Sequence, residues 1–342
     1  MNNAERKPKV LLCLNGDKDA EKPLVDRAGV LLRYALEAVG IEYTYDPEEV
    51  YDFVHLVSLN QYWAFKTALK KKRINKKAPV IMTLFNDPIN IKNDEEDDKV
   101  FKQTASLYSD LEADAFICPW SSEALIIKHL NILHDVSQAA IGAKDYDQKS
   151  YSPEEMTAFC KYYSIEPGKK IIICYGEYEY SKGIDELESV ARILPEYEFF
   201  YFGGTSGVLA NSKHYDKGND IPNLHYEGSI PEELYHSAIF SAYAVFLPYR
   251  YHTDSTLLVE AMKGGVPIVS AFNPFLFDLL IDGKTALLGK SVEDFFRILK
   301  DLPRHNCAEG AKVFASELTP LAYGTKLKEI YNRALLNKKD AD

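Results

Sequence analysis

Short apolar runs along the chain alternate with longer stretches whose apolar positions recur at helical spacing. Lys9–Leu14, Phe53–Val57, Ala78–Leu84 and Ala115–Cys118 read as strands, with helical periodicity over Val25–Val39, Tyr62–Arg73, Lys99–Leu111 and Ser122–Leu130. The pattern restarts after Ser164–Lys170, a polar joint carrying Pro167 and Gly168. Strands then follow at Lys170–Tyr175, Tyr197–Phe202, Leu224–Tyr226, Ala244–Leu247 and Val266–Val269, with helices at Ile184–Leu194, Pro231–Ser241 and Thr256–Lys263. Apolar strands alternating with amphipathic helices predict parallel sheets covered on both faces. The expected architecture is α/β: two doubly wound, Rossmann-like domains facing a cleft. The first would take residues 1–165 and the second 166–342, with a last helix at about 321–337 returning to the first domain. Ligands of such sheets lie beyond the carboxyl ends of the strands, which makes the cleft the expected site.

Composition narrows the class. At 342 residues, 46% hydrophobic and 27% charged, the chain suits two globular domains and not a disordered segment. No apolar run approaches the ~20 residues of a spanning helix. The polar, mixed-charge start Met1–Val10 is not the pattern of a secretory signal. Cys13, Cys118, Cys160, Cys174 and Cys307 form no CxxC pair, which points to a reducing cytoplasm and away from a disulfide framework. The net charge of −11 argues against nucleic acid as a partner. The histidines show no HxH or HExxH spacing, so no metal site is expected. No GxSxG or cysteine–histidine arrangement points to a hydrolytic nucleophile.

Chemistry gathers at two strand-to-helix turns. In Leu247–Ser270 a strand ends at Pro248, and Asp254 and Ser255 are N-cap types ahead of a helix starting near Thr256. Such a helix start offers free N–H groups and a partial positive charge to a phosphate. Glu260, one turn in, could accept two hydrogen bonds from a ribose diol, and Gly264-Gly265 closes the helix. Upstream, Gly176–Gly183 places Lys182 beside Gly183 at another helix start, where a lysine neutralises a diphosphate. Taken singly, Glu260 reads as a polar residue on a partly exposed helix and Lys182 as a solvated surface lysine. Their common context favours the ligand reading.

The ordered set Lys182-Gly183, Gly203-Gly204, Glu227-Gly228, LPY at Leu247–Tyr249, EAMKGGVPIV at Glu260–Val269 and LIDGKTALL at Leu280–Leu288 resembles the nucleotide-sugar half of family 4 retaining glycosyltransferases with the GT-B fold. The first half resembles them more faintly, through YDFVHLVS at Tyr51–Ser58, PVIMTLF at Pro79–Phe85 and WSSEALIIKHL at Trp120–Leu130. The resemblance implies a UDP-sugar or related donor held by Gly176, Lys182, Gly183, Ser255, Thr256, Leu257 and Glu260. Lys182, His252 and Asp254 would carry the catalytic roles. It implies no cofactor beyond the nucleotide-sugar co-substrate, and no metal. Four features depart from the family pattern: His252 and Glu177 stand where a glutamate and an arginine are usual, Phe85 where a first-half strand usually ends in histidine, and the glycine-rich loop after the first strand is reduced to Asn15-Gly16. These departures keep open a non-catalytic GT-B module that binds a sugar or a partner protein. His55, late in a buried strand, reads as structural.

One segment points to a surface. Gln61–Val80 holds seven basic residues and no acid. Read as a helix, it sets Tyr62, Phe65 and Leu69 on one face and Lys66, Lys70, Arg73 and Lys77 on another, with Lys71, Lys72 and Lys76 adding charge. Aromatics beside a basic face suit an anionic membrane boundary. The arrangement resembles the basic helix of bacterial monoglucosyldiacylglycerol synthases. The expectation is a hexosyltransferase, peripheral on the cytoplasmic face of the membrane, with a lipid or glycan acceptor.

Overall fold

The computed structural model describes residues 6–12, 27–57, 77–84, 111–129, 136–146, 148–176, 182–203, 220–228, 230–250, 255–302 and 307–341. The first sheet holds β1 (Lys9–Leu12), β2 (Glu42–Thr44), β3 (Phe53–Leu56), β4 (Val80–Thr83), β5 (Ala115–Cys118) and β6 (Val136–Gln138), in the order β2-β1-β3-β4-β5-β6. The second holds β7 (Lys170–Tyr175), β8 (Tyr197–Phe202), β9 (Leu224–Glu227), β10 (Ala242–Leu247), β11 (Ile268–Ala271) and β12 (Leu287–Gly289), in the order β12-β11-β10-β7-β8-β9. Every pairing is parallel. Strand order reverses between β1 and β3 in one sheet and between β7 and β10 in the other. A crevice opens at each of these points, because the connections from the two neighbouring strands leave in opposite directions.

Among the described residues the helices are α1 (Arg27–Ala38), α2 (Ser121–His129), α3 (Pro153–Tyr162), α4 (Ile184–Ile193), α5 (Glu232–Ser241), α6 (Thr256–Gly264), α7 (Val292–Asp301), α8 (Ala308–Ala315) and α9 (Pro320–Ala341). Central strands such as β3 and β4 are buried along their whole length, as parallel strands covered on both faces must be. One apolar cluster runs unbroken from Val10, Phe53 and Ile117 through Ile141 and Ala143 to Ile171, Phe200 and Val245. The two sheets are thus joined by core packing as well as by chain.

Packing changes sides earlier than the joint expected at 164–170. Helix α3 precedes that joint but lies on the second sheet, with the Phe159 ring edge-on to Phe200 at 5.2 Å. Its start carries a full capping box between Ser152 and Glu155, with Pro153 in the first turn. Helix α9 lies against α1 on the first sheet, where Tyr331 stacks on Phe53 at 4.9 Å. A Cβ at Gly324 would come 2.2 Å from the Ala35 carbonyl oxygen, so the glycine permits the close approach of the two helices.

Among the described residues, Cys118, Cys160, Cys174 and Cys307 form no disulfide. No helix among them is long and apolar enough to cross a membrane, and no three His, Cys, Asp or Glu side chains are grouped to hold a metal ion.

Candidate functional site

The two turns singled out in the sequence follow β7 and β10, the adjacent strands at which the second sheet reverses. Backbone geometry fixes the first turn. Gly183 caps α4 at φ +66°, and a Cβ there would sit 2.1 Å from the Pro248 carbonyl oxygen. Gly176 has φ +141°, and its Cα faces the stem of Lys182, whose Cγ would lie 3.2 Å from an added Cβ. Neither position accepts a side chain without strain. Lys182 is buried, with its ammonium 5.4 Å from the centre of the Tyr249 ring, and the Tyr249 hydroxyl donates to the Tyr175 carbonyl. The lysine is therefore buried, unlike the solvated surface residue it resembles when read alone.

The second turn leads into α6. Ser255 occupies the N-cap position, but its side chain does not cap the helix. Its Oγ instead accepts a hydrogen bond of 2.7 Å from the indole N–H of Trp120, across from the first sheet. The N-cap bond expected of this side chain is not made, and the oxygen meets an indole donor from the opposite wall instead. Thr256 is buried and Leu257 packs in the core. The helix ends as expected: Gly265 is left-handed at φ +68°, and Val266 N–H reaches back to the Ala261 carbonyl.

Glu260 is not on an exposed helix face. It is 1% exposed and meets Arg27, the first residue of α1. Arg27 Nε donates to Oε1 at 3.0 Å and to Oε2 at 2.8 Å, and Arg27 Nη2 also donates to Oε1. The Tyr146 hydroxyl donates to Oε1 at 2.8 Å. The guanidinium lies over the Tyr235 ring, 3.9 Å from its centre. Burial opposes the charge on Arg27, but Glu260 outweighs it and the guanidinium holds its proton more tightly than usual. Burial, followed by the Glu260 charge, raises both tyrosine hydroxyls well above their ordinary range. One turn on, buried Lys263 pairs with Asp145 at 2.7 Å.

A fourth tie crosses between the halves. The Asp278 carboxylate accepts from Ser121 N–H at 3.0 Å and from Ser121 Oγ at 2.6 Å, and Ser122 Oγ also donates to it. A carboxylate from the second half thus caps the positive end of α2 in the first. His55 is buried between Thr83, at 2.7 Å from Nε2, and the Tyr331 hydroxyl at Nδ1. Those contacts give it a structural place.

Of the predicted site residues, the structure brings Lys182, Gly176 and Gly183 together at one turn and Ser255, Thr256, Leu257 and Glu260 at the neighbouring one. His252 and Asp254 lie outside the described residues, as do Glu177 and Phe85. So do Lys66, Lys70, Lys71, Lys72, Arg73 and Lys76. Lys77 is exposed just ahead of β4, at the amino end of the first sheet, and lines a shallow cleft there with Arg6 and Lys338. Sequence reasoning missed Arg27, Tyr146 and Trp120. Arg27 left one signal: a cation on the apolar stripe of α1, in helical register with Val30, Leu31 and Tyr34.

No protein-family model matches the chain. A curated relative is the processive diacylglycerol alpha-glucosyltransferase of Acholeplasma laidlawii, 27% identical over 342 residues, which span 97% of this chain and all of that protein. Solved structures share the fold. The sucrose-phosphate synthase of Thermosynechococcus elongatus has a TM-score of 0.68 at 14% identity, over 97% of this chain and all of that one. HepE of Anabaena, in complex with UDP and glucose, has a TM-score of 0.65 at 13% identity, over 96% and 100%. WaaG, a glycosyltransferase involved in lipopolysaccharide biosynthesis, has a TM-score of 0.63 at 12% identity, over 94% and 99%. The chain is a GT-B protein that resembles the family 4 glycosyltransferases, the diacylglycerol glucosyltransferases among them.

Proposed function

We propose that the protein is a retaining hexosyltransferase that moves a hexose from a UDP-sugar to a lipid or glycan acceptor at the cytoplasmic membrane face. The observation that carries this reading is the pairing of two anion-ready turns at one switch point: buried Lys182 after β7 and the start of α6 after β10. A lysine and a helix start converging there suit a diphosphate, and they would stabilise the charge that builds on it as the sugar leaves. Glu260 would take the ribose, and His252 and Asp254 would meet the sugar. The second half would hold the donor, and the first would present the acceptor and, through Lys66–Lys77, meet the membrane. The similarity to a diacylglycerol glucosyltransferase favours glucose and a membrane diglyceride among the possible pairs.

The test is turnover of UDP-glucose with vesicles containing diacylglycerol, read as UDP release and labelled glycolipid. Lys182→Met is the variant to compare. Glu260→Ala would strand a buried guanidinium and cost about 3–5 kcal/mol of fold, confusing binding with unfolding. Transfer by the parent and a loss of 10²-fold or more in Lys182→Met is expected, on the scale of one lost electrostatic contact to a leaving group (~3 kcal/mol). UDP binding with no transfer above the Lys182→Met background would leave the non-catalytic module as the function.

A further inference from the structure

The Glu260 carboxylate lies where the two switch points face each other. Helix α1 follows β1, at the reversal of the first sheet, and α6 follows β10, at the reversal of the second. The residues that meet are Arg27, in the first turn of α1, and Glu260, one turn into α6.

An ionised carboxylate offers about four lone-pair positions. The two-pronged grip of Arg27 and the Tyr146 hydroxyl account for at least three of them. A ribose diol brings two more donors. Glu260 cannot serve the diol and Arg27 in full at once, so a nucleotide that engages this carboxylate must loosen the guanidinium. A guanidinium at 7% exposure that gives up part of this carboxylate is better served by another anion than by water, which reaches it poorly. A nucleoside diphosphate solves both problems in one molecule. Its ribose carries the hydroxyls, and its diphosphate, attached to that same ribose, lies within the reach of an arginine side chain. Guanidinium groups bind phosphate oxygens bidentately, as they do carboxylates. Arg250, just after β10, is already engaged with Asp185 at 2.8 Å and Glu186 at 3.0 Å.

We propose that Arg27 is a donor-site residue supplied by the opposite domain: a nucleoside diphosphate takes Glu260 with its ribose and Arg27 with its diphosphate, replacing their mutual ion pair. The inference rests on the donor reading of the previous section. It adds a cation that the sequence motifs do not contain, and it makes the fit of the two halves around the donor depend on one exchange of partners.

The test uses two ligands that differ only in the diphosphate. Uridine and UDP are titrated calorimetrically into the full chain, its Arg27→Ala variant and its Arg27→Lys variant, with thermal melting to confirm that each is folded. In Arg27→Ala, UDP should bind at least tenfold more weakly, whereas uridine should bind as well as to the parent or better, since the guanidinium no longer competes for Glu260. Arg27→Lys keeps a charge opposite Glu260 and loses only the fork, so its UDP affinity should fall between the two. It is the variant to read if the alanine form does not fold. A uridine affinity that falls by the same factor as that of UDP would show Arg27 to be a support of the fold alone and overturn the proposal, as would an unchanged UDP affinity. A parent that binds no UDP overturns the donor reading and this inference with it. That outcome is recognisable because it appears without any substitution.

Discussion

His55 donates and accepts inside the first sheet with no contact to water, and that sets its response to acid. Burial pushes its pKa down to about 3, against 6.5 for a free side chain. The folded protein therefore refuses a proton that the unfolded chain takes up below pH 6.5. Stability due to the neutral ring is complete above that pH and is lost as the pH falls toward 3, at about 1.4 kcal/mol per unit. Urea unfolding at pH 7, 6 and 5 should show this slope, and His55→Asn should flatten it by close to one proton. An equal slope in the variant would mean that other groups carry the acid sensitivity. Glu260 is also enclosed, at 1% exposure. A carboxylate ringed by Arg27, Tyr146 and Tyr235 is held by its partners alone, so its chemistry is theirs to release.

Elements differ in how openly the sequence declares them. The central strands and the helices flanking β7 and β10 follow from period and punctuation, because burial on both faces makes β3, β4 and β7 continuous apolar runs. The edge strands β2, β6 and β12 were not legible: three residues of mixed burial carry no period. Helix α3 announces itself through Ser152-Pro153-Glu154-Glu155, a capping signal that the polar stretch around it obscured. The site divides in the same way. Lys182 and Glu260 are marked by the local chemistry of helix starts, whereas Tyr146 and Arg27 reach Glu260 from 114 and 233 residues away, a pairing only the tertiary fold creates. The basic element of 62–77 is carried by charge pattern, and its prediction belongs to that scale. Replacing Lys70, Lys71, Lys72 and Arg73 by glutamine should abolish co-sedimentation with vesicles rich in anionic lipid. Attraction of about 1 kcal/mol per basic residue near such a surface is lost, and what remains is screened beyond ~8 Å at physiological salt. A parent that fails to sediment at low salt, or a variant that sediments equally, would remove the membrane role.

At the scale of the molecule, polar ties reinforce the shared core: Glu260 with Arg27, Ser255 with Trp120, Lys263 with Asp145 and Asp278 with the start of α2. The last can be cut without touching the proposed donor residues. Asp278→Ala should cost about 1–2 kcal/mol, the usual loss for a helix cap. It should also raise the radius of gyration in small-angle scattering as the halves gain freedom. A smaller melting temperature with unchanged scattering would confine Asp278 to local capping. The return of α9 to the first sheet has a consequence of another kind. Tyr331, which completes the surroundings of Phe53 and His55, is made 276 residues after that histidine. During synthesis the second sheet is whole, with all its strands released, while the first still lacks the helix that covers it. The half of the protein that is begun first is therefore the half finished last, and until then a nascent chain shows a bare apolar flank to whatever attends the ribosome.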